Sequence, residues 1–276
     1  MCKVLKVSRS CYYRWYSGGV SKRELENIEF SKLIKKIYYE SKQRYGSPRI
    51  AAELRKQGYL ISKVRVSKLM KLNYLRSKIK RKYRITTDSN HSFSISKNHL
   101  NREFTPATLN EVWVSDITYV RTAQGWLYLT TIIDLYDRQV IGWALSSNLS
   151  TKRTIIPAWR MALSKRNITK PLIFHSDRGV QYASNLFRKH LKNNDLITQS
   201  MSRKGNCWDN AVAESFFKTL KTELIYHEKY ESVLQAKTSI FEYIEIWYNR
   251  KRLHSSLGYK TPVEVELEFN KLKYVA

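Results

Sequence analysis

The sequence has few cysteines and no long hydrophobic run, and each shortage excludes a class of protein. Its three cysteines are an odd number without the spacing of a metal site or a disulfide framework: Cys2, Cys11 and Cys207. No stretch of 18 apolar residues is present, so we expect no membrane-spanning helix. The first residues, MCKVLKVSRS, lack the apolar segment of a secretion signal. We therefore expect a reduced, cytoplasmic protein with no membrane partner.

Acidic residues are scarce relative to basic ones. There are 23 Asp and Glu against 50 Lys and Arg, which gives a net charge of +27 at pH 7. Because such an excess repels itself in a compact chain, it favours a polyanionic partner, and nucleic acid is the usual one. Residues 1–100 hold 25 of the basic and only 6 of the acidic residues. The N-terminal third is therefore predicted to provide most of the phosphate binding, with a basic protein lacking such a partner as the alternative.

The N-terminal third has the pattern of an all-α region. Ser8 is predicted to cap a helix through SRSCYYRWY, and the apolar spacing predicts a helix over 24–41. Ser47 as a cap, followed by Pro48 in the first turn, predicts another helix start, and Ser62 is predicted to cap the next helix, so that 47–73 resembles a helix-turn-helix. A plain helical bundle with a solvated basic surface is the alternative. The basic residues favour DNA contact, and the candidates are Arg49, Lys63, Arg65 and Lys68.

After Asn110 the apolar pattern changes to that of β-strands. The segments EVWVSDITYV, WLYLTTIIDLY and RQVIGWALS are joined by short turns, which predicts an antiparallel meander. Helices over 151–165, 184–194 and 208–225 alternate with the strands PLIFHSD and LITQSMS. The order βββαβαβα predicts an α/β, ribonuclease-H-like core with a mixed five-stranded sheet. The predicted organisation is a helical region at 1–75, a basic linker at 76–107, this core at 108–266 and a tail at 267–276.

Three acids occupy positions where a lone carboxylate would be costly or reactive. Asp116 interrupts an apolar strand, Asp177 follows a buried strand, and Glu214 lies one turn into the last helix of the predicted core. Burial of a polar group without a hydrogen-bond partner costs on the order of 2–7 kcal/mol, and burial of an isolated carboxylate also costs at least several kcal/mol. A buried acid therefore needs a partner. A pair of divalent cations would provide it and would suit oxygen ligands. Singly, the acids could instead be a strand-edge residue, a turn cap with Arg178 and a solvated helix residue.

Basic residues near the third acid and near the C-terminus are further candidates for DNA contact. Glu214, Lys218 and Lys221 are spaced to share one helix face, which places a metal ligand beside two ammonium groups. An ordinary ion pair within the helix is the alternative. Further along, NRKRLHSS predicts a basic loop, and phosphate binding is the preferred role there, against a solvated turn, for Arg250, Lys251 and Arg252.

Several longer motifs resemble one known family. The segments WVSDITYV, HSDRGVQY and SMSRKGNCWDNAVAESFFKTLK look like the catalytic core of OrfB-type insertion-sequence transposases, the group typified by insertion sequence 3. Nearly the whole chain is covered, because VSRSCYYRW, RYGSPRI and YNRKRLHSSLGYKTPVE resemble the same group. The resemblance implies a retroviral-integrase-like core in which two aspartates and a glutamate are the catalytic residues and metal ligands: Asp116, Asp177 and Glu214.

The resemblance also implies an activity and its partners. The activity would be metal-dependent cleavage and transfer of DNA strands at the terminal inverted repeats of a mobile element, with two Mg²⁺ or Mn²⁺ ions as cofactors. The chain would act in the nucleoid as a homo-oligomer on its own ends and on target DNA. An upstream helix-turn-helix OrfA-type protein would be its partner or be fused to it by frameshifting. A non-catalytic DNA-binding regulator and a nuclease of the same fold are the alternatives.

Other residues near the acids have open roles at this point. His175 could orient Asp177 or be an ordinary strand-end histidine with its hydrogen bonds satisfied. Cys207 and Trp208 are expected to pack. Asn206 and Asn210 could contact DNA or cap the following helix.

Overall fold

The computed structural model describes residues 1–18, 20–78 and 94–275, without the side chains of 207 and 273–275. Within it the chain divides into two compact units, Met1–Ile79 and Lys80–Ala276. Much of the predicted linker, 79–93, lies outside the described residues. No helix in the described ranges is both long and apolar enough to cross a membrane.

The first unit consists of helices α1 (Arg9–Tyr16), α2 (Lys22–Glu40), α3 (Ser47–Lys56) and α4 (Lys63–Leu72). As predicted, Ser8 and Ser62 cap α1 and α4, because their hydroxyls accept a backbone N–H of the first turn. The prediction that Ser47 caps α3 is wrong. Gly46 is the cap, because its carbonyl already accepts the first helical N–H groups and Ser47 lies inside the helix. Apolar residues of α2, α3 and α4 form the core of the unit: Ile34, Ile37, Ile50, Leu54, Val66 and Leu69.

The second unit contains one five-stranded sheet. Its strands are β1 (Val112–Thr122), β2 (Gly125–Asp134), β3 (Val140–Ser146), β4 (Leu172–Ser176) and β5 (Ile197–Met201), in the spatial order β3-β2-β1-β4-β5. The first three form an antiparallel meander, whereas β4 and β5 run parallel to β1. The predicted mixed sheet and ribonuclease-H-like fold are therefore confirmed.

Helices cover both faces of the sheet. The helices of this unit are α5 (Ile155–Lys165), α6 (Val180–Ala183), α7 (Asn185–Lys192), α8 (Ala211–Glu223), α9 (Val233–Phe241) and α10 (Pro262–Val275), with a π-helical continuation of α9 over Glu242–Tyr248. Residues of α8, α9 and that continuation pack on one face, and residues of α5 to α7 pack on the other. The contact of α5 with β3 is close at Gly142, where a Cβ would lie 2.2 Å from the carbonyl oxygen of Ala158.

Two segments differ from the predicted organisation. Part of the predicted linker packs on the sheet, because Leu100 is buried and the backbone N–H of His99 donates to the Ser200 hydroxyl (2.8 Å). The predicted tail continues α10, which begins at Pro262 and runs to Val275. The linker's contacts are with residues distant in sequence, so local pattern gave no sign of them.

Candidate active site

Strand pairing brings the first two acids to the same edge of the sheet. β1 and β4 are parallel, and the last pair in their register is Ser115 with Ser176. The next residue of each chain segment is an acid, so Asp116 and Asp177 lie side by side at the carboxyl end of β4. Carboxyl ends of parallel strands are where α/β proteins commonly bind ligands.

Helix α8 brings the third acid to this edge. The side-chain amide of Asn210, at the start of α8, donates to the carbonyl of Ser115, the residue before Asp116 (3.3 Å). Glu214 lies in the first turn of α8, exposed to solvent, while Phe217 and Leu220 of the same helix are buried in the core. Of the two roles left open for Asn210, capping is met by position only, because Asn210 is the N-cap residue of α8 but its side chain makes no capping hydrogen bond and donates to β1.

The three carboxylates interact electrostatically in all three pairs. Burial raises the pKa of Asp116 well above its usual value, and the charges of Asp177 and Glu214 raise it further. Although Glu214 is exposed as a residue, partial burial of its carboxylate and the charge of Asp177 likewise raise its pKa. The N–H of Ile117 and the charge of Lys221 act in the opposite direction on the pKa of Asp116, and they do not offset the increase. The site therefore favours an added positive charge.

The donor set suits a hard divalent cation. The converging ligands are carboxylate oxygens, which Mg²⁺ and Mn²⁺ prefer over the nitrogen and sulfur ligands of zinc sites. Across the described residues no three ligating side chains are gathered closely enough to hold one ion as they stand.

The turn after β4 holds the second acid in place. One carboxylate oxygen of Asp177 accepts the backbone N–H of Gly179 (2.9 Å). A Cβ at Gly179 would lie 3.0 Å from that oxygen, so glycine leaves room for the turn. The alternative of a turn cap is thus partly correct, although Arg178 donates instead to the carbonyl of Ser202 (2.6 Å).

The neighbouring histidine has a structural role. The ring nitrogens of His175 lie 2.8 Å from the Ser200 hydroxyl and 3.2 Å from the Ser202 hydroxyl, and the side chain is fully buried. Burial lowers the pKa of His175 to about 4, so the ring is neutral at pH 7. Its contacts link β4 to β5 and match the alternative of a satisfied strand-end histidine.

The two lysines of α8 differ in their surroundings. Lys221 is partly buried, and burial lowers its pKa while the charge of Asp116 acts in the opposite direction. Lys218 is exposed to solvent. Of these two lysines, Lys221 is therefore the one whose charge acts directly on Asp116.

Asp209 is an acid that the sequence pattern did not single out. Its side chain is fully buried and accepts hydrogen bonds from the Arg203 guanidinium (2.9 Å), the Arg102 guanidinium (2.8 Å) and the Asn98 amide (3.0 Å). The hydrogen bonds from Arg203 hold the pKa of Asp209 far below its usual range. Asp209 thus joins the segment before β1 to the loop that leads into α8.

Replacement of Asp209 by asparagine should destabilise the protein in a pH-dependent way. The amide directs a donor at guanidinium groups, and the loss of hydrogen bonds to charged groups costs about 1.5–3 kcal/mol. Because the pKa of Asp209 is depressed in the folded state, its contribution is present above the unfolded value of 3.8 and is lost as the pH falls further. Urea unfolding at pH 7 and pH 3.5 should show a difference between wild type and Asp209→Asn that shrinks at the lower pH. The control is Asp195→Asn at an exposed loop position, and an equal destabilisation of both variants would contradict this role.

Two of the predicted DNA-contacting arginines are committed to other side chains. Arg252 is buried and pairs with Glu223 at 2.9 Å, so the prediction that it binds phosphate is corrected. Arg65 pairs with Glu26 at 2.9 Å and lies 4.9 Å from the ring centre of Phe30, which leaves it partly buried. Both partners are distant in sequence from these arginines, and neither pairing follows from local pattern.

The other predicted DNA-binding residues differ in exposure. Lys63, Lys68, Arg250 and Lys251 are exposed, whereas Arg49 is partly buried over the ring of Tyr45. The expectation that Trp208 packs is wrong, because 70% of its surface is exposed, and the side chain of Cys207 lies outside the described residues. Asn206 accepts a hydrogen bond from Arg102 (2.9 Å), which places it in the Asp209 cluster.

Comparison with known proteins gives matches along most of the chain. Models described as "Integrase core domain" match residues 107–207 and 196–262, and a model described as "HTH-like domain" matches 24–83. A 31 kDa protein of insertion element IS600 from Shigella sonnei is 41% identical over 99% of both chains. The transposase InsF of insertion sequence IS3A from Escherichia coli is 40% identical over 96% of this chain and 92% of its own length. The catalytic core domain of BIV integrase is 20% identical and superposes with a TM-score of 0.45, covering 60% of this chain and 99% of that domain.

Proposed function

This chain belongs to the IS3 family of insertion-sequence transposases, and we propose that Asp116, Asp177 and Glu214 are the residues with which it cuts and joins DNA. It is a DNA transposase with an integrase core and an HTH-like DNA-binding domain. The observation that carries the site assignment is the strand register, which puts Asp116 and Asp177 next to each other, with Glu214 within electrostatic reach of both.

The proposed chemistry is phosphoryl transfer at a DNA phosphodiester. The family implies a divalent metal, and two Mg²⁺ or Mn²⁺ ions held by the three carboxylates would activate the attacking oxygen and stabilise the leaving oxygen. The N–H groups of Ile117 and Gly179 orient Asp116 and Asp177 through hydrogen bonds of 2.8 and 2.9 Å. Lys221, beside Asp116, supplies a positive charge for the phosphate that enters this edge.

Cation binding should depend on the first acid. Asp116→Asn removes one of three mutually repelling carboxylates, so without metal the variant should be more stable than wild type by on the order of 1 kcal/mol. This corresponds to a melting point about 2–4 °C higher. Millimolar MnCl₂ should then raise the melting point of wild type more than that of the variant, because wild type retains all three ligands and the variant does not.

Thermal unfolding with EDTA and with MnCl₂ measures both effects, and calorimetric titration of Mn²⁺ measures binding directly. Asp195→Asn, at an exposed site, is the matched control. Equal Mn²⁺ stabilisation of wild type and Asp116→Asn would contradict the ligand assignment.

The first unit is proposed to bind DNA through phosphates. Lys63 and Lys68 on α4 are exposed, and Arg49 on α3 is partly exposed, so these side chains carry the proposal in place of the paired Arg65. We propose residues 1–75 as the DNA-binding region, 76–107 as the linker and 108–266 as the catalytic domain. The part of the linker from residue 94 onward packs on the sheet of the catalytic domain.

Exchange of Lys63 and Lys68 for glutamine should weaken DNA binding at every sequence. For each phosphate that a lysine no longer neutralises, the slope of log affinity against log salt should become shallower by about 0.9. Fluorescence anisotropy of a labelled duplex at several salt concentrations tests this. The matched control exchanges Lys32 and Lys36 of α2, which are both exposed like the α4 pair. An unchanged slope in the Lys63/Lys68 variant would refute phosphate binding there.

The proposed substrates are the terminal inverted repeats of the element and a target duplex, with the chain acting as a homo-oligomer on DNA. An upstream OrfA-type helix-turn-helix protein is proposed as partner or fusion. Likeness to the IS3 transposases supports both proposals. Light scattering of the protein with and without a terminal-repeat duplex, and joining assays with and without the upstream protein, test them.

A further inference from the structure

A basic notch of about 320 Å³ lies at the β5 edge of the sheet, apart from the three acids. Lys97, from the segment that covers this edge, and Arg188 and Lys192, from α7, provide its positive charges. Leu191 and Ile197 are its apolar wall. In the part of the chain that the structure describes, no carboxylate forms an ion pair with any of the three basic side chains.

The convergence of these charges is not explained by local structure alone. Lys192 lies in the last turn of α7, where a cation is favoured by the helix dipole. That reason does not apply to Lys97, which arrives from a segment more than 90 residues earlier in the chain. Because like charges in one concave space repel each other, an anion between them would lower the energy of the arrangement. Arginine and lysine together suit a phosphate group, since the guanidinium can donate two hydrogen bonds at once.

The segment that carries Lys97 is fixed in place by several hydrogen bonds. The Ser96 hydroxyl donates to the Gln199 side chain (3.1 Å), and the backbone N–H groups of His99 and Leu100 donate to the Ser200 hydroxyl (2.8 and 3.2 Å). Gln199 in turn donates to the carbonyl of Tyr182 (2.9 Å). The notch therefore has a wall that is held before any ligand arrives, which reduces the ordering cost of binding.

We propose that this notch binds a backbone phosphate of the same DNA duplex whose end reaches the acids, an inference that rests on the proposed function. Gln199 and Ile197, which line the notch, are paired with Phe174 and Leu172, three and five residues before Asp177, so the notch lies about 10–17 Å from the acids along the strand direction. That distance corresponds to about three to five base pairs of duplex. The notch would thus set how far the DNA end extends toward the acids.

The test compares two variants with equal loss of charge. The notch variant is Lys97→Gln/Arg188→Gln/Lys192→Gln, and the control variant is Lys170→Gln/Lys229→Gln/Lys237→Gln, whose lysines are all exposed and do not line the notch. Binding of the full chain to a labelled terminal-repeat duplex is measured by anisotropy in EDTA over a range of salt. We expect the notch variant to bind about tenfold more weakly with a salt slope smaller by about 0.9, and the control variant to change less than about threefold. Equal changes in the two variants would overturn the proposal.

Three further measurements test whether the notch contacts a phosphate of the DNA. Ethylation of single phosphates should show interference within about six nucleotides of the end for wild type, and this interference should disappear in the notch variant. If the triple variant does not fold, Lys97→Gln alone, at an exposed position, should still reduce the slope, by at most about 0.9. If inorganic phosphate binds the notch while both variants bind DNA equally, the site takes free phosphate and the proposal is wrong. Because EDTA prevents cleavage, these results do not depend on whether the acids bind metal.

Discussion

Asp116→Asn, Asp177→Asn and Glu214→Gln should each lower the rates of DNA cleavage and strand joining by about 10²–10³-fold or more, while DNA binding persists. Each exchange preserves the size of the side chain and removes one negative charge from the edge where the three carboxylates interact. That charge is what would hold cations against the phosphate, and loss of one such preorganised group has an effect of about this size. The binding surface of the first unit is unchanged in all three variants.

The assay uses a labelled terminal-repeat duplex with MgCl₂, scored for nicking and joining, with gel shifts as the measure of binding. Asp195→Asn supplies the matched control, because it removes a carboxylate from an exposed loop of the same unit. Near wild-type joining by any one of the three variants would exclude that residue as a ligand. If wild type is inactive, the assay is repeated with the upstream partner protein. This distinguishes the absence of a required protein from a wrong assignment of the active site.

Glu223→Ala and Arg252→Ala should each reduce the free energy of unfolding by about 3–5 kcal/mol, since removal of either partner leaves a buried charge uncompensated. Both side chains are only 7% exposed, and Arg252 Nη2 lies 2.9 Å from Glu223 Oε1. The Tyr243 hydroxyl donates to the same carboxylate (2.9 Å), so the effect is not confined to one bond. The expected result is a loss of stability. If Arg252 bound phosphate instead, its replacement would weaken DNA binding and leave stability unchanged.

Chemical denaturation measures this destabilisation, and the neighbouring exposed residue supplies the comparison. Arg250→Ala should change the free energy of unfolding by no more than about 0.5 kcal/mol. The double variant Glu223→Leu/Arg252→Met removes both charges and should be considerably more stable than either single variant. If Arg252→Ala weakened DNA binding at unchanged stability, the buried ion pair would not be its main role.

The sequence allowed prediction of those features that repeat along the chain. Alternation in β1 to β3, the apolar spacing of α8 and the position of Asp116 within an apolar strand are local signals, and they gave the order of elements and the three candidate acids. Contacts between distant residues could not be predicted in this way. Arg252 has its partner 29 residues earlier, and Asp209 has partners both nearby and more than 100 residues earlier. In the sequence alone, a basic residue that pairs inside the protein has the same signature as one that faces DNA.

The hydrogen bonds around Asp209 determine where the catalytic part of the chain can be cut for study. Two of its partners, Asn98 and Arg102, precede the first strand. A truncated protein that starts at residue 108, where the predicted domain begins, would keep Arg203 but would not include either of them. It would also expose the Ser200 hydroxyl, which accepts the N–H groups of His99 and Leu100. Expression of the isolated catalytic unit should therefore begin at residue 94 or earlier. A fragment starting at 108 should show lower solubility and faster proteolysis in the loop before α8.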